Sequence, residues 1–305
     1  MRNPLKGIDV FVAAVEAGNF TQAAERLHIT RSAVGKSIAR LEERLGVMLF
    51  QRTTRSQSLT EEGALFYEHC LRAVEEIQTG ETLLESGKWQ MTGRLKVSMP
   101  ALFGHLCVAP LLIDLAEANP ELNLELSFSD RTVDLVEEGF DLAIRIGVLP
   151  NSSALVARPL GEHKMAFCAS PAYLKRFGIP TTIDGLDRHK ALAYTRFGQV
   201  HRWQFLVGDQ REERLPEVRL LSDDLRALMD AAVAGLGVAW LPYWLVRDLL
   251  RRGTLKELLA DQPGVSYAIN AVWPYNPHLS LKVRVAVDAL VEKLPARLAA
   301  VEARA

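Results

Sequence analysis

Residues 20–60 read FTQAAERLHITRSAVGKSIARLEERLGVMLFQRTTRSQSLT, and this stretch decides the fold of the N-terminal end. Thr21 can cap a short helix over AAERL, because a threonine hydroxyl accepts a hydrogen bond from the free N–H groups of a first helical turn. After a sharp turn at 28–29, Thr30 can cap a longer helix that ends near Gly46. The pattern predicts two capped helices joined by a sharp turn.

Helical periodicity assigns a core face to the longer helix and to a first helix that ends near Gly18. The apolar residues that share one face of the first helix are Ile8, Phe11, Val12 and Val15. In the helix after Thr30 the core positions are Val34, Ile38, Leu41 and Leu45. The outward stripe of that helix then consists of Arg31, Ser32, Gly35, Lys36 and Ala39. Small and cationic residues therefore form the exposed surface.

This stripe suits the major groove of double-stranded DNA. Arg31 and Lys36 can reach guanine acceptors or phosphates, while Ser32 and Gly35 let a helix come close to the bases. Glycine inside a helix lowers stability by about 0.5–1 kcal/mol relative to alanine. Its presence at position 35 is explained either by close approach of a partner or by a substitution that the protein tolerates. Its neighbours favour close approach.

A basic hairpin follows the helix. After Leu49-Phe50, residues 52–55 read as the tip of a β-hairpin wing that carries Arg52 and Arg55. A solvated surface is the alternative interpretation of these arginines, and the cationic stripe on the preceding helix makes it the weaker one. Residues 1–60 hold nine Lys and Arg against five acids, whereas the whole chain has a net charge of −1. We therefore expect only this end of the chain to hold DNA phosphates.

A long helix separates the basic end from the rest of the chain. Thr60 can cap it, Glu61 and Glu62 complement its positive N-terminus, and it runs to about Gly87. Residues spaced by four and three predict a coiled-coil seam: Phe66, Cys70, Ala73, Ile77, Gly80 and Leu84. A helix packed on its own domain is the alternative, and dimerisation is favoured because the stripe has little else to cover it.

From about residue 92 the chain alternates strands and helices. The first set has strands at 94–99, 122–129 and 141–147, a helix at 106–119 kinked at Pro110, and a helix at 131–139. The second set has strands at 164–170, 190–195, 217–221 and 237–242 and a helix at 224–235, followed by a strand at 265–273 and a helix at 279–299. The pattern predicts two α/β subdomains around a cleft, where the carboxyl ends of parallel strands collect ligands.

Ser98, Met99 and Pro100 end the first strand of this region and start a helix. A hydroxyl and free backbone amides at a helix N-terminus can hold a carboxylate or another anion. We find no pair of carboxylates, no nucleophile with a base and no set of metal ligands, so the sequence predicts no catalytic residue, no metal and no cofactor.

Isolated reactive side chains do not change this picture. Cys70, Cys107 and Cys168 have no metal-ligand spacing and are expected to be buried, with a redox switch as a second interpretation. His189 and His201 are expected at the surface or in hydrogen bonds rather than on a metal. No signal peptide precedes the first helix and no apolar run approaches the roughly 20 residues that span a membrane. We therefore expect a soluble, cytoplasmic protein.

Several longer motifs carry a resemblance to a known family. They are FVAAVEAGNFTQAAERL at 11–27, IARLEERLG at 38–46, LFQRTTR at 49–55, LTEEG at 59–63, MPALFG at 99–104, DLAIRIG at 141–147, SPAYL at 170–174 and AGLGVAWLP at 234–242. In these motifs the chain resembles the LysR-type transcriptional regulators, and the resemblance extends over essentially the full length of the chain. In that family the start of the third helix and the wing touch DNA. The implied contacts are Thr30, Arg31, Ser32, Gly35, Lys36, Arg52 and Arg55, although position 35 is often serine in the family.

The resemblance also implies the domain organisation. A winged helix-turn-helix DNA-binding domain is expected at 1–60, a dimerising linker helix at 61–90, and an α/β effector domain of periplasmic-binding-protein type at 91–305. Within the effector domain, subdomain I is expected at 91–163 and 266–305, and subdomain II at 164–265. The implied partners are promoter DNA with an interrupted inverted repeat, a small and anionic effector, a second copy through the linker helix, a tetramer of two dimers, and RNA polymerase.

The family also extends the expected effector pocket beyond Ser98, Met99 and Pro100. The added residues are Ser129, Ile146, Gly147, Thr195, Arg196 and Phe197. Arg196 is expected to pair with the anion, and the alternative is a salt bridge to an acid such as Asp223 or Asp224. A solute-binding protein, or an enzyme that shares the cleft fold, is the competing functional class. Residues 1–90 argue against both classes, because neither class needs a basic DNA-binding domain joined to a dimerising helix.

Overall fold

A computed structural model of the chain describes residues 5–51, 58–86, 91–196, 198–207, 210–214, 217–262, 264–276 and 279–300. Three helices open it: α1 at Ile8–Glu16, α2 at Phe20–Arg26 and α3 at Arg31–Leu45. Thr30 caps α3 and Gly46 ends it with φ 74°, as predicted. The prediction that Thr21 caps α2 is wrong, because the Asn19 side chain accepts the capping hydrogen bond from the Gln22 N–H at 2.8 Å.

Phe11 lies at the centre of the N-terminal core. Its side chain is completely buried, and its ring centroid lies 5.7 Å from that of Phe50, 5.5 Å from that of Phe66 and 6.3 Å from that of Tyr67. The other predicted core residues of α1 and α3 that are buried or half-buried are Ile8, Val12, Val15, Val34, Ile38 and Leu41. Leu45 departs from the prediction, because it is the last residue of α3 and is 38% exposed.

The linker helix α4 spans Glu61–Ser86 and begins against the N-terminal domain. The Thr60 hydroxyl accepts from the Gly63 N–H at 2.9 Å and donates to the Met48 carbonyl oxygen at 2.6 Å. The backbones touch at this point, since a Cβ added to Gly63 would lie 2.0 Å from the Leu49 carbonyl oxygen. Only glycine fits such an approach without movement.

The predicted seam of α4 is partly wrong. Cys70 is buried and Phe66 is half-buried, and both pack into the core formed by α1, α2 and α3. The first turns of α4 therefore bury their stripe within the same chain. Ile77 is 45% exposed and stays available for a partner helix. Side chains from 78 to 86 lie outside the described part of the structure, so Gly80 and Leu84 stay predictions.

The remaining elements form the α/β region. This region begins with β1 Gly93–Met99, α5 Ala101–Phe103, a π-helical turn Gly104–Val108, α6 Ala109–Glu117, β2 Leu122–Phe128 and β3 Leu142–Ile146. The strand β4 Leu155–Ala169 leads to α7 Pro171–Phe177, a 3₁₀ turn Asp184–Arg188, β5 Ala191–Arg196, β6 Gln199–Val200, β7 Trp203–Val207, β8 Gln210–Arg214 and β9 Val218–Ser222. The chain continues with α8 Leu225–Val233, β10 Val238–Pro242, α9 Tyr243–Arg251, β11 Lys256–Leu258, β12 Ser266–Pro274 and α10 Leu281–Ala300.

Two parallel groups of strands share one mixed sheet, in the order β2-β1-β3-β12-β4-β10-β5-β6, with β11 beside β4 and β9 beside β5. In the first group β1 pairs in parallel with β2 and β3, and in the second group β5 pairs in parallel with β9 and β10. The antiparallel strands β4 and β12 connect the groups, with a register shift between Ile269 and Asn270. This architecture confirms the predicted α/β class and places the carboxyl ends of both groups around one cleft.

Two segments differ from the sequence prediction. Residues 135–139 form one short turn instead of the helix predicted at 131–139. The Asp134 carboxylate caps this turn by accepting from the N–H groups of Val136 at 2.9 Å and Glu137 at 3.0 Å, and Gly139, with φ 69°, ends it before a second turn can form. The strand predicted at 164–170 is the second half of β4. Its first half contains Pro159 and Gly161, residues that argue against a strand in sequence.

Candidate DNA-binding surface and effector cavity

Helix α3 is fixed at both ends and on its inner face. The Thr30 hydroxyl accepts from the Ala33 N–H at 3.1 Å, and Val34 is completely buried. Near the other end, the Glu42 carboxylate accepts from the N–H of Leu49 at 2.8 Å and of Phe50 at 3.2 Å. Glu42 therefore joins the helix to the strand that precedes the wing, a role that the sequence analysis did not identify.

The outer face of α3 has the predicted composition. Arg31, Ser32 and Lys36 are exposed, and Gly35 is half-exposed. A Cβ added to Gly35 would meet no atom within 4 Å, so nothing within the protein requires a glycine there. A cationic helix face with an open central position is a surface that can enter a DNA groove.

The base of the wing is formed. Phe50 and Leu59 make an antiparallel bridge, and the Gln51 N–H donates to the Ser58 carbonyl oxygen at 2.8 Å. Arg52 and Arg55 lie outside the described residues. Their part in DNA binding stays a prediction.

A cavity of about 900 Å³ lies between the two groups of parallel strands. Of the predicted effector residues, those that line it are Pro100, Ser129, Ile146, Gly147 and Arg196. Ser98, Met99 and Thr195 do not line it, and Phe197 lies outside the described residues. The strand ends thus meet as the topology requires, while the ligand-facing set differs from the prediction.

The predicted anion site at the end of β1 is not open. Ser98 and Met99 are completely buried, and the Ala101 N–H at the start of the helix donates to the Asp130 carboxylate at 3.3 Å. A carboxylate of the chain therefore already occupies the helix N-terminus. The Thr195 hydroxyl donates to the Gln199 carbonyl oxygen at 3.1 Å, within its own hairpin.

Arg145 is the cationic residue that the sequence analysis missed. Its guanidinium lies in the cavity wall, donates to the Ile144 carbonyl oxygen at 3.0 Å, and lies 3.4 Å from the Ser98 hydroxyl. No carboxylate among the described residues forms an ion pair with it. Burial lowers the pKa of Arg145, and the positive charge of Arg196 lowers it further. Two partly desolvated cations therefore face one cavity.

Arg196 makes a contact that neither sequence interpretation included. Its guanidinium donates to the backbone carbonyl oxygen of Asp130, in the segment that follows β2. This hydrogen bond crosses the cleft from the second strand group to the first. Asp224, one of the acids considered as its partner, caps α8 by accepting from the Arg226 N–H at 2.6 Å.

Aromatic side chains form much of the cavity wall. They are Phe103, His105, His163, Tyr194, His201, Trp203, Trp240, Trp244 and Tyr267. His163 stacks on Tyr267 with ring centroids 5.7 Å apart, and burial lowers the pKa of His163. The pKa of His201 is lowered by burial and by the charge of Arg196. Both imidazoles therefore favour the neutral form, and His201 is exposed, as expected, where it lines the cavity.

The cysteines are buried, as predicted. Burial raises the pKa of Cys70 to about 11 and the pKa of Cys107 and Cys168 to about 12. Within the described residues no three His, Cys, Asp or Glu side chains are grouped so that they could hold a metal ion. In the same part of the chain, every helix is too short or too polar to span a membrane.

Comparisons with known proteins agree with this arrangement. A family model described as "Bacterial regulatory helix-turn-helix protein, lysR family" matches residues 5–64, and one described as "LysR substrate binding domain" matches residues 90–295. The transcriptional regulator CrgA of Neisseria meningitidis serogroup C is 35% identical over 96% of this chain and 98% of its own. The transcriptional activator AaeR of Escherichia coli is 31% identical over 94% of this chain and 93% of its own.

Solved structures show the same likeness over the full length. The structure of CrgA is 32% identical, covers 96% of this chain and 99% of that chain, and has a TM-score of 0.60. Full-length AphB of Vibrio cholerae is 26% identical, covers 95% of this chain and 99% of that chain, and also has a TM-score of 0.60. A solute-binding protein or an enzyme is not favoured, because a DNA-binding family model matches the N-terminal residues. The chain belongs to the LysR family of transcriptional regulators.

Proposed function

We propose that the chain binds an interrupted inverted repeat in promoter DNA through the exposed face of α3 and the wing. The single observation that carries this proposal is the cationic face of α3, held from behind by a buried apolar face and by Glu42. The proposed DNA contacts are Thr30, Arg31, Ser32, Gly35, Lys36, Arg52 and Arg55. In this arrangement α3 reads base edges, and the wing arginines bind phosphates or the minor groove.

Replacing both Arg31 and Lys36 by alanine is expected to weaken binding to the promoter region beside the gene by at least tenfold. Loss of two phosphate contacts would lower the slope of log affinity against log salt by about two units, and loss of one phosphate contact and one base contact by about one. Fluorescence anisotropy over a salt series measures both. The matched control replaces Lys175 and Arg176, two exposed cations on α7, by alanine. Equal losses in the two double variants would show that net charge, and not α3, determines affinity.

We further propose that the cavity binds a small anionic effector. The described residues that support it are Pro100, Ser129, Ile146, Gly147 and Arg196 from the sequence prediction, with Arg145 added by the structure. Ser98 supports the site from behind, since its hydroxyl contacts the Arg145 guanidinium, while Met99 and Thr195 have no direct part in it. Phe197 stays a prediction. An anion in the cleft would contact both strand groups and so change the angle between them. That change would alter the spacing of the paired DNA-binding domains.

We propose that the chain dimerises through α4 and that two dimers form a tetramer. The support is Ile77, a large apolar residue that is 45% exposed on a helix whose earlier turns are covered by its own chain. A partner helix is the expected cover for such a side chain.

Ile77→Asp is expected to separate the paired α4 helices, because burying an unpaired carboxylate costs several kcal/mol. Sedimentation velocity should then show a smaller assembly, and affinity for a two-half-site duplex should fall more than affinity for a single half-site. Ile77→Leu keeps an apolar side chain of the same size and is the control. An unchanged assembly in the Asp variant would place the interface elsewhere.

We propose the following for the rest of the molecule. The chain acts in the cytoplasm as a regulator rather than an enzyme, and RNA polymerase is a further partner. Its functional units are the DNA-binding domain at 1–60, the linker helix at 61–90 and the effector domain at 91–305. Within the effector domain, subdomain I covers 91–163 and 266–305 and subdomain II covers 164–265. This division is supported by three apolar cores, one for the DNA-binding domain, one centred on subdomain I and one on subdomain II, with Trp244 of subdomain II packing into the core of subdomain I.

A further inference from the structure

We infer that the effector is an anion carried on a flat aromatic body, with its charged group on Arg145 and its ring against the aromatic wall of the cavity. This inference rests on the proposed effector function and specifies the ligand class and the residue that selects it. The sequence predicted an open helix N-terminus as the anion site, and the half-buried guanidinium of Arg145 takes its place in this inference.

The charge requirement follows from the arginines that line the cavity. Arg145 and Arg196 both line it, and the positive charge of Arg196 lowers the pKa of Arg145. Within the described part of the chain, the Arg145 guanidinium makes hydrogen bonds only to neutral oxygens, those of the Ser98 hydroxyl and the Ile144 carbonyl. The negative charge of Glu138 raises the pKa of Arg145, and Glu138 makes its own ion pair with Arg131. A ligand carboxylate would bring a negative charge into direct contact with Arg145 and could accept two parallel hydrogen bonds from it. A neutral ligand would leave the repulsion between the two arginines in place.

The shape requirement follows from the cavity wall. Tyr194 and Tyr267 line the cavity and are half-buried, so their rings keep surface that a ligand can contact. Phe103, Trp203, Trp240 and Trp244 also line it and are almost completely buried. The rings of Phe103 and Trp244 meet at 65° with centroids 5.5 Å apart, and those of Trp240 and Tyr267 meet at 60° and 6.3 Å. An aromatic ligand ring could add a further stacked or edge-to-face pair to these rings, which is favourable beyond the burial of apolar area. A saturated ring would gain only the free energy of burying its apolar surface.

The volume allows a ligand larger than a simple inorganic or acetate-sized anion. About 900 Å³ is in the upper part of the usual range of roughly 300–1,000 Å³ for pockets that enclose small organic molecules. An acid with one or two fused rings would reach both the guanidinium and the aromatic wall. Acetate would satisfy the charge alone and leave the wall uncovered.

The test compares three probes with the full-length protein by isothermal titration calorimetry and by quenching of tryptophan fluorescence. The probes are 2-naphthoate, the neutral 2-naphthamide, and the saturated acid decahydronaphthalene-2-carboxylate. We expect 2-naphthoate to bind at least tenfold more tightly than either other probe and to quench saturably, since tryptophans lie in the wall. Equal binding of acid and amide would overturn the charge assignment, and equal binding of the two acids would overturn the aromatic assignment.

Arg145→Gln should reduce the affinity for 2-naphthoate at least tenfold and leave that for 2-naphthamide unchanged. The matched control is Arg226→Gln, because Arg226 also lines the cavity but is exposed at its rim. Equal losses in the two variants would overturn the role of Arg145. If Arg145→Gln does not fold, the comparison of probes on the unaltered protein decides by itself. Failure of every acid to bind would overturn this inference, while the proposed DNA binding is tested separately by the α3 variants.

Discussion

Phe11→Ala is expected to lower the free energy of unfolding of the N-terminal domain by about 3–5 kcal/mol, the usual cost of removing a phenyl ring from a packed core. Phe11 is completely buried and its ring contacts those of Phe50, Phe66 and Tyr67. The loss is comparable to the lower end of the stability of a whole small domain, about 5 kcal/mol. Specific DNA binding should therefore disappear at 37 °C.

Chemical denaturation followed by circular dichroism, together with DNA anisotropy at low and high temperature, measures this effect. The control is Ile29→Ala in the same domain, since Ile29 is 40% exposed and its truncation should cost well under half as much. Ligand binding in the effector cavity should survive in both variants, because the cavity is lined by residues of the other domain alone. A Phe11 variant with normal DNA affinity at 37 °C would contradict the assignment of Phe11 as the centre of the core.

Gly63→Ala is expected to lower the free energy of unfolding by about 1–3 kcal/mol, the range for overpacking a core. The added methyl would lie 2.0 Å from the carbonyl oxygen of Leu49 and 2.9 Å from its carbonyl carbon. Both are backbone atoms, so relief requires a shift of α4 relative to the strand that leads into the wing. DNA affinity should fall with stability, since the same strand is tied to α3 by Glu42.

Gly35→Ala is the matched control for this prediction. Gly35 also lies in a helix of the same domain, but an added Cβ would meet no atom within 4 Å. Its substitution should leave the domain stable or raise its stability by about 0.5–1 kcal/mol, because alanine has the higher helix propensity. Thermal and urea unfolding of both variants gives the comparison. Similar effects in the two would show that the close contact at Gly63 does not determine stability.

Local chemistry made the N-terminal domain predictable from sequence. The cap at Thr30, the left-handed Gly46 and the buried face of α3 depend on residues within a few positions of one another. The wrong cap at Thr21 is a local error as well, since Asn19 competes for the same role two residues earlier. The covered part of the α4 seam could not be predicted in this way, because periodicity shows that Cys70 is buried but not which chain buries it.

The cavity could be predicted only in part, because its lining depends on contacts between strands that are distant in sequence. Sequence placed the strand ends around a cleft, and Pro100, Ser129 and Gly147 do line it. Arg145 was missed because an arginine inside an apolar strand looks like a solvated position unless the neighbouring strand is known. Its contact with Ser98 joins residues 47 positions apart. Asp130 accepts from the N–H of Ala101, 29 positions away, so the residues around Ser98 do not show that this helix N-terminus is occupied.

The path of β12 has a consequence for how the chain is made. Its residues Ile269 and Trp273, with Val287 and Leu290 of α10, belong to the same apolar core as Leu95 and Val97 of β1. The ribosome therefore releases β1, β2 and β3 long before the segment that covers them exists. The segment between β4 and β12 can fold meanwhile, but the core around β1 stays incomplete until synthesis is almost finished. Chaperones that shield exposed strand edges should matter most during that interval, and premature termination before Ser266 should yield a chain that aggregates.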